Sequence, residues 1–339
     1  MADSVRLALV GCGAIAGYHA RAIRSIDRIE IAAAIDPKRE AAGSLAEGYG
    51  VGAFATIEEA AATVDFDAVD IMTPHDLHEA LTEQALALGK HVLLEKPIAQ
   101  DLTTAERVLA TGTAADQAFM VGENSQYWPD VVAVERLLRD GAVGEVIAAQ
   151  AAFECRFDPF WYPGNRPWRF DLQRTGGGVV IDGGAHWIRP LRVWLGEIDA
   201  VVGTTGRPIG GMDGESLAQA LLRFESGVIA SFLALTSPAN LSDMPWFRVM
   251  GTKGEVLIRG GFEGGGVELY DEDHPQGQAL PGDHGYFHSF KPELEDFAAL
   301  VLDGKPPVAP PEKALGEMRT ALALYRSARS GAWESVWNA

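Results

Sequence analysis

Gly11-Cys12-Gly13-Ala14-Ile15-Ala16 has the spacing of a loop that can cradle a pyrophosphate. The first glycine permits a tight turn, the second lets backbone N–H groups approach a phosphate, and the small Ala16 lets helix and strand pack closely. Ala14 and Ile15 open the following helix, where unpaired N–H groups and the helix dipole favour negative charge. Asp36 ends the next apolar run roughly 20 residues on. A carboxylate there can accept hydrogen bonds from both ribose hydroxyls of an adenosine and would repel a 2′-phosphate. NAD is therefore the expected cofactor; NADP is the alternative, because Lys38 and Arg39 lie close enough to meet a phosphate. Taken by itself, Asp36 could equally cap a helix ahead of Pro37.

Two further groups could do chemistry. Thr73-Pro74 and Glu95-Lys96-Pro97 each close an apolar run. Doubly wound sheets bind ligands outside the carboxyl ends of their strands, so a lysine there can stabilise a developing alkoxide. A surface lysine ending a strand would read the same way. Downstream, Asp182 and His186 stand in Gly176-Gly177-Gly178-Val179-Val180-Ile181-Asp182-Gly183-Gly184-Ala185-His186 and share a face if that segment is α-helical. The histidine can take a hydroxyl proton near neutral pH. The aspartate can orient that imidazole or hold a substrate hydroxyl. A buried pair that fixes a helix start fits the spacing as well.

The elements that must carry these residues change character along the chain. Val5–Val10, Ile29–Ile35, Phe66–Met72 and His91–Glu95 are apolar, strand-like runs separated by helical patterns. Asp76 stands where it could cap the helix that runs on to Gly89. Strands alternating with helices predict a parallel sheet covered on both faces. From about residue 125 hairpin signals take over. Ser216–Phe224 and Val228–Leu235 flank Glu225-Ser226-Gly227, and Phe247–Met250 and Glu255–Arg259 flank Gly251-Thr252-Lys253-Gly254. Glu145–Phe157 reads as one long strand and Val179–Leu195 as a helix, with two more helical stretches closing the chain. The expected fold class is α/β: a Rossmann doubly wound parallel sheet in residues 1–124. An α+β domain with a large, mainly antiparallel open sheet would follow in 125–339, and the C-terminal helix could pack back on the first domain.

Composition narrows the partners. The 47 acidic residues outnumber the 28 basic ones, for a formal charge of −19. Such a surface repels phosphate backbones and anionic lipid, which argues against nucleic acid and membrane. No run approaches the ~20 apolar residues of a membrane span, and Met1-Ala2-Asp3-Ser4 does not read as a signal peptide. The two cysteines, Cys12 and Cys155, offer neither a disulfide framework nor metal-ligand spacing, which suits a reducing cytoplasm. No metal is expected.

With these motifs in place the chain resembles the Gfo/Idh/MocA family of oxidoreductases, which includes glucose–fructose oxidoreductase and inositol dehydrogenase. The resemblance covers essentially the whole chain. It rests on the glycine loop, on Thr73-Pro74 with His78, on Gly89-Lys90-His91-Val92-Leu93-Leu94-Glu95-Lys96-Pro97, and on the run from Gly176 to His186. It implies that Lys96, Asp182 and His186 are catalytic. It implies a cofactor pocket built from Gly11, Gly13, Ala14, Ile15 and Asp36. To these it adds Thr73, Pro74 and His78 after one strand, and Glu95, Lys96 and Pro97 after another. It also implies a homodimer or homotetramer. Where family members often carry two arginines after a junction asparagine, this chain has Asn124-Ser125-Gln126-Tyr127-Trp128-Pro129. The resemblance therefore leaves the substrate open.

Asn124 and Tyr127 at that junction are candidate substrate contacts. So are Trp168 and Arg169, in an irregular stretch from Phe157 to Gly178 that also holds Phe160, Trp161 and Tyr162. Aromatic faces with a few donors suit a polyhydroxylated ring, a sugar or cyclitol; the same aromatics could simply pack under the loop. Arg166, Arg169 and Arg174 would alternatively suit an anionic group. His284 and His288 flank a second aromatic loop. The activity expected is hydride transfer between a secondary hydroxyl and nicotinamide. The alternatives are a glycoside hydrolase that uses NAD transiently and a non-catalytic sugar or dinucleotide sensor.

Overall fold

The computed structural model describes residues 3–242, 244–262 and 264–338. It contains two compact units. The first comprises the chain up to Glu123 together with Phe290–Leu315; the second comprises Asn124–Ser289 and the segment from Gly316 onward.

The first unit is built on β1 (Val5–Val10), β2 (Ile29–Ile35), β3 (Gly52–Phe54), β4 (Ala68–Ile71), β5 (His91–Glu95) and β6 (Phe119–Gly122). They form one sheet in the order β3-β2-β1-β4-β5-β6, with every neighbouring pair parallel. Leu7, Ala8 and Leu9 of β1 are wholly buried, as are Val92, Leu93 and Leu94 of β5. This is the signature of strands covered on both faces. The strand order reverses between β1 and β4, which opens a crevice at their carboxyl ends. Helix Phe290–Asp303 belongs to this unit. Its buried stripe of Phe290, Glu293, Leu294, Phe297 and Ala298 has helical spacing. Phe290 meets the rings of Tyr18 at 5.9 Å and His19 at 5.1 Å on helix Ala14–Ile23.

The second unit carries β7 (Val146–Arg156), β8 (Ile198–Gly206), β9 (Leu217–Phe224), β10 (Ile229–Ser237), β11 (Pro245–Gly251), β12 (Gly254–Arg259), β13 (Gly266–Asp271), β14 (Gln278–Ala279) and β15 (Glu334–Ser335). The sheet order is β14-β13-β12-β11-β7-β10-β9-β8-β15. Pairing is antiparallel except between β7 and β10, at the centre. Helix Ala185–Leu195 lies over β7. Trp187 on that helix packs on Phe153 at 4.7 Å and stacks on Phe247 at 5.9 Å. Arg189 adds a bidentate pair with Glu317 at 2.7 and 2.9 Å, and Arg192 a second contact with the same carboxylate. The helix that bears His186 is thus anchored to helix Ala314–Ser330 by buried charge pairs. The opposite face of the sheet leaves Leu221 and Ile229 exposed. No helix among the described residues is long and apolar enough to cross a membrane.

Two local expectations are corrected. A 3₁₀ turn over His75–Leu77 precedes helix His78–Ala87, so Asp76 lies in that turn and Leu77 takes the cap position. The glycine-rich run does not enter an α-helix directly. Val180–Gly184 forms a π turn, with Gly184 N donating to Val179 O at 2.7 Å, and the α-helix begins at Ala185. Single π turns of this kind concentrate at functional sites.

Candidate active site

In the first unit the glycine loop leaves β1 at Gly11, whose φ of 90° favours glycine. A Cβ there would come within 2.5 Å of the Met72 carbonyl oxygen, so the loop after β1 lies against the end of β4. Gly13 is open on its Cβ side. Helix Ala14–Ile23 has no side-chain cap and no acidic residue in its first turn. The amides of Gly13, Ala14 and Ile15 therefore stand at a helix N-terminus suited to an anion. Asp36, just beyond β2, accepts from Cys12 N at 3.0 Å and from Lys38 N at 2.8 Å. Its carboxylate is thereby held beside the glycine loop. The Thr73 hydroxyl, just beyond β4, is buried with no hydrogen-bond partner among the described residues. An uncapped helix start, a backbone-held carboxylate and an orphaned hydroxyl at one strand crevice fit a bound dinucleotide.

His78, Glu95 and Pro97 do something other than face outward. His78 is completely buried, with Nε2 at 3.0 Å from Thr73 O and Nδ1 at 3.0 Å from Pro97 O. It braces the ends of β4 and β5 against each other, with Pro74 between them in sequence. Burial pushes its imidazole below the ordinary value, while the two carbonyls pull it back. Glu95 turns inward: Oε2 accepts from Lys96 N at 2.9 Å, and Oε1 lies 3.2 Å from His19 Nε2 in an ion pair without hydrogen-bond alignment. His19 Nδ1 in turn sits 2.7 Å from Asp70 Oδ2, and Glu293 is buried among these groups. Burial alone would lower the His19 pKa, but Asp70 and Glu95 outweigh it and hold the ring well above its ordinary value. Burial, with Glu95, Glu123 and Asp70 adding to it, raises Glu293 well above the usual carboxyl range against the opposing pull of His19. Lys96 follows this cluster, half-buried, joined to Pro97 by a cis peptide bond. The sequence motifs pointed to Glu95 and Lys96; His19, Asp70 and Glu293 carried no comparable signal.

In the second unit the glycine run is explained by close packing. A Cβ on Gly178 would collide with the Glu215 backbone, and one on Gly177 with the Tyr325 hydroxyl. The Glu215 carboxylate accepts from Gly178 N at 2.9 Å, from Val180 N at 2.9 Å and from the Tyr325 hydroxyl at 2.9 Å. Glu215 therefore caps the π turn from a distant strand start. Asp182, within that turn, accepts from Arg169 Nε at 2.7 Å. Arg169 also donates to Trp161 O at 3.2 Å and lies 4.5 Å over the Trp168 ring. The irregular loop thus delivers its arginine and tryptophan to the aspartate of the motif.

His186 Nε2 lies 3.0 Å from the Tyr286 hydroxyl, and its ring packs edge-on against Tyr286 at 5.4 Å. Asn124 is buried, with Nδ2 donating to Ser289 Oγ at 2.7 Å and Oδ1 accepting from the Tyr286 hydroxyl at 2.9 Å. Its amide therefore turns inward and supports the neighbour of His186. Tyr127 is also buried. In the second aromatic loop His284 bonds Asp130 Oδ1 at 2.6 Å and Leu280 O at 3.0 Å, so it fastens the loop. Tyr286, between the two flanking histidines, is the member that reaches His186.

Comparison with known proteins identifies the family. Residues 5–123 match the family model described as "Oxidoreductase family, NAD-binding Rossmann fold", and residues 131–257 match the GFO/IDH/MocA C-terminal domain. D-apiose dehydrogenase of Paraburkholderia graminis is 33% identical over 224 residues, which span 65% of this chain and 58% of that protein. Inositol 2-dehydrogenase of Rhizobium meliloti is 28% identical, covering 96% of this chain and 97% of its own. The aldose–aldose oxidoreductase of Caulobacter crescentus, solved with glycerol, superposes with a TM-score of 0.85 at 25% identity, over 98% of this chain and 99% of that one. The chain belongs to the GFO/IDH/MocA family of oxidoreductases and pairs an NAD-binding Rossmann unit with that family's C-terminal domain.

Proposed function

We propose that this chain is a dehydrogenase that acts on a secondary hydroxyl, or in reverse on a ketone, of a sugar, sugar derivative or cyclitol. The observation that carries the reading is the π turn that presents Asp182 to Arg169 one helical turn before His186. A carboxylate–guanidinium pair beside a stacked tryptophan offers acceptors, donors and an apolar face, the set that a polyhydroxylated ring requires. NAD, when bound, supplies the hydride acceptor. His186 takes the proton from the reacting hydroxyl as general base, and returns it in the reverse direction. Lys96 stabilises the negative charge that develops on that oxygen. Asp182, held by Arg169, positions the substrate. Trp168, Arg169 and Tyr127 are the candidate contacts with the ring. Asp36 favours NAD over NADP by placing negative charge where a 2′-phosphate would fall.

The exposed Leu221 and Ile229 on the open sheet face are consistent with a homodimer or homotetramer. Cys12 and Cys155 are both free thiols whose pKa values burial pushes up to about 12 and about 11, inert groups suited to a cytoplasmic enzyme. The test is NADH formation, followed by absorbance, across apiose, inositols, aldoses, uronates and glycosides with NAD and with NADP. Turnover on one chemical class is expected, with Lys96→Ala and His186→Ala each losing kcat by about 100-fold or more. Normal turnover in both variants would overturn the assignment. Glycoside cleavage without net NADH would shift it to transient redox hydrolysis, and silence with NAD shown to bind would shift it to a sensor.

A further inference from the structure

We infer that Tyr286 is the positioning residue of the acid/base group: it holds His186 with a proton on Nε2, so that Nδ1 is the nitrogen that exchanges a proton with substrate. This rests on His186 as the general acid/base, proposed above, and adds which atom does the work and what fixes it.

A count of protons fixes the tautomer. Ser289 Oγ lies 2.5 Å from the Tyr286 carbonyl oxygen. A carbonyl oxygen only accepts, so the single hydroxyl proton of Ser289 points there. The Asn124 group 2.7 Å from Ser289 Oγ must then donate, which makes it Nδ2 and turns Oδ1 toward the Tyr286 hydroxyl at 2.9 Å. Oδ1 also only accepts, so the tyrosine proton is committed to Asn124. The phenol oxygen has lone pairs left for His186 Nε2 at 3.0 Å, and that contact is attractive only if Nε2 bears a proton. Asn124, Ser289, Tyr286 and His186 are all buried, at 1, 0, 6 and 8% exposure. Buried polar groups need partners, so a mismatched pair anywhere in the chain would be costly.

The tyrosine is also fixed in place. Its ring packs edge-on against Trp128 at 6.0 Å and Phe262 at 5.8 Å, and its backbone N–H donates to Gly261 O at 3.2 Å. Next to it, Gly285 N donates to Asp130 Oδ2 at 3.0 Å.

With Nε2 protonated, the neutral imidazole offers its basic lone pair at Nδ1. In the oxidative direction the substrate O–H bond breaks, its proton bonds to Nδ1, and the electron pair stays on oxygen and forms the new C=O bond. The carbinol C–H bond breaks with its electron pair leaving as hydride to the nicotinamide acceptor. The resulting imidazolium donates a stronger, charge-assisted bond from Nε2 to Tyr286.

The test is the ring-¹⁵N spectrum of the NAD-saturated protein with labelled histidine, His186 being assigned by its loss in His186→Gln. A protonated Nε2 and an unprotonated Nδ1 are expected. Asn124→Leu removes the acceptor that claims the tyrosine proton, so Tyr286 should then donate to His186 and the tautomer should invert. Tyr286→Phe should lower kcat by about 10- to 100-fold with KM little changed. It should also move the limiting pKa of kcat downward, since the imidazolium loses its acceptor. A proton on Nδ1 in the native protein, or a folded Tyr286→Phe variant with native kcat and pH profile, overturns the inference while leaving His186 catalytic. If Tyr286→Phe fails to fold, the native and Asn124→Leu spectra still decide. Near-native turnover in His186→Gln overturns both the inference and the reading beneath it.

Discussion

Arg169 offers the sharpest measure of how the irregular loop serves the site. Its Nε donates to Asp182 Oδ2 at 2.7 Å, Nη1 donates to Trp161 O at 3.2 Å, and the guanidinium lies 4.5 Å over Trp168. The side chains of Arg169 and Asp182 are 19% and 20% exposed, so water screens the pair only in part. A hydrogen bond to a charged group contributes about 1.5–3 kcal/mol, and partial exposure puts this one at the lower end, about 1.5–2 kcal/mol. At 1.36 kcal/mol per factor of ten, Arg169→Met should lower kcat/KM by roughly 10- to 30-fold. The methionine keeps much of the apolar contact with Trp168, so the loss reads out the lost pairing more than lost packing. Arg169→Lys should fall between the two, because an ammonium keeps the charge but lacks the planar fork that serves Asp182 and Trp161 together. The assay is the initial rate of NADH formation at saturating NAD, with the melting temperature measured in parallel. A folded Arg169→Met variant within a factor of about three of native kcat/KM would refute the claim that this arginine holds Asp182 in its working position.

Three further outcomes follow from the first unit. Asp36→Ala should raise the ratio of kcat/KM for NADP over NAD by about tenfold or more; an unchanged ratio would mean that another group sets the preference. His19→Leu leaves Asp70 buried without its partner and should cost about 3–5 kcal/mol, measured as a fall in the urea midpoint. Because Asp70 and Glu95 raise the folded pKa of His19, the pair's contribution is full below about pH 6.5 and is lost as pH rises through the raised value. The gap between native and variant should narrow in that direction, and a constant gap would contradict the pairing. Glu293→Gln should behave in the opposite sense. Burial raises the carboxyl's folded pKa, so the native protein loses stability as pH rises from about 4.5 through that value. Glutamine has no proton to lose, so the variant should gain on the native protein across that window, and parallel stability curves would exclude a buried neutral Glu293.

What could be read in the sequence was what is local. β1, the glycine loop and Asp36 follow one another within a single βαβ unit, and periodicity and turn chemistry both reach that far. The hairpins β9–β10 and β11–β12 showed themselves through their turns. β3 and β6 are only three and four residues long, too short for a period to register. The parallel pairing of β7 with β10 joins strands more than seventy residues apart, and hairpin logic suggests only antiparallel neighbours. The same distance limit applies within the site. His78 was visible as part of a motif, but its inward turn toward two backbone carbonyls depends on where Thr73 and Pro97 end up. The glycines before Asp182 were visible too, and the reason for them, the Glu215 backbone and the Tyr325 hydroxyl, lies 37 and 147 positions away. A tyrosine between two histidines drew less notice than the histidines, since nothing local says which ring reaches His186.

These supports share a physical form. Each residue proposed to do chemistry stands where a regular element ends or changes, and its neighbouring backbone or ring is held by a buried polar group of its own unit, adjacent in sequence for Lys96 and distant for Asp182 and His186. Glu95 accepts from the Lys96 amide while facing His19. Glu215 holds Gly178 and Val180, four and two residues before Asp182. Asn124 and Ser289 set Tyr286 against His186. Buried polar and charged groups are unfavourable unless matched, so stability alone would be as well served by apolar replacements of the same shape. What apolar side chains cannot do is fix the direction of an amide or the tautomer of an imidazole. On that argument an apolar redesign of the His19–Asp70–Glu95–Glu293 cluster could preserve or raise the melting temperature while turnover falls, because the Lys96 backbone would lose the carboxylate that holds it. A redesigned cluster that kept both native stability and native kcat would show these buried charges to be dispensable.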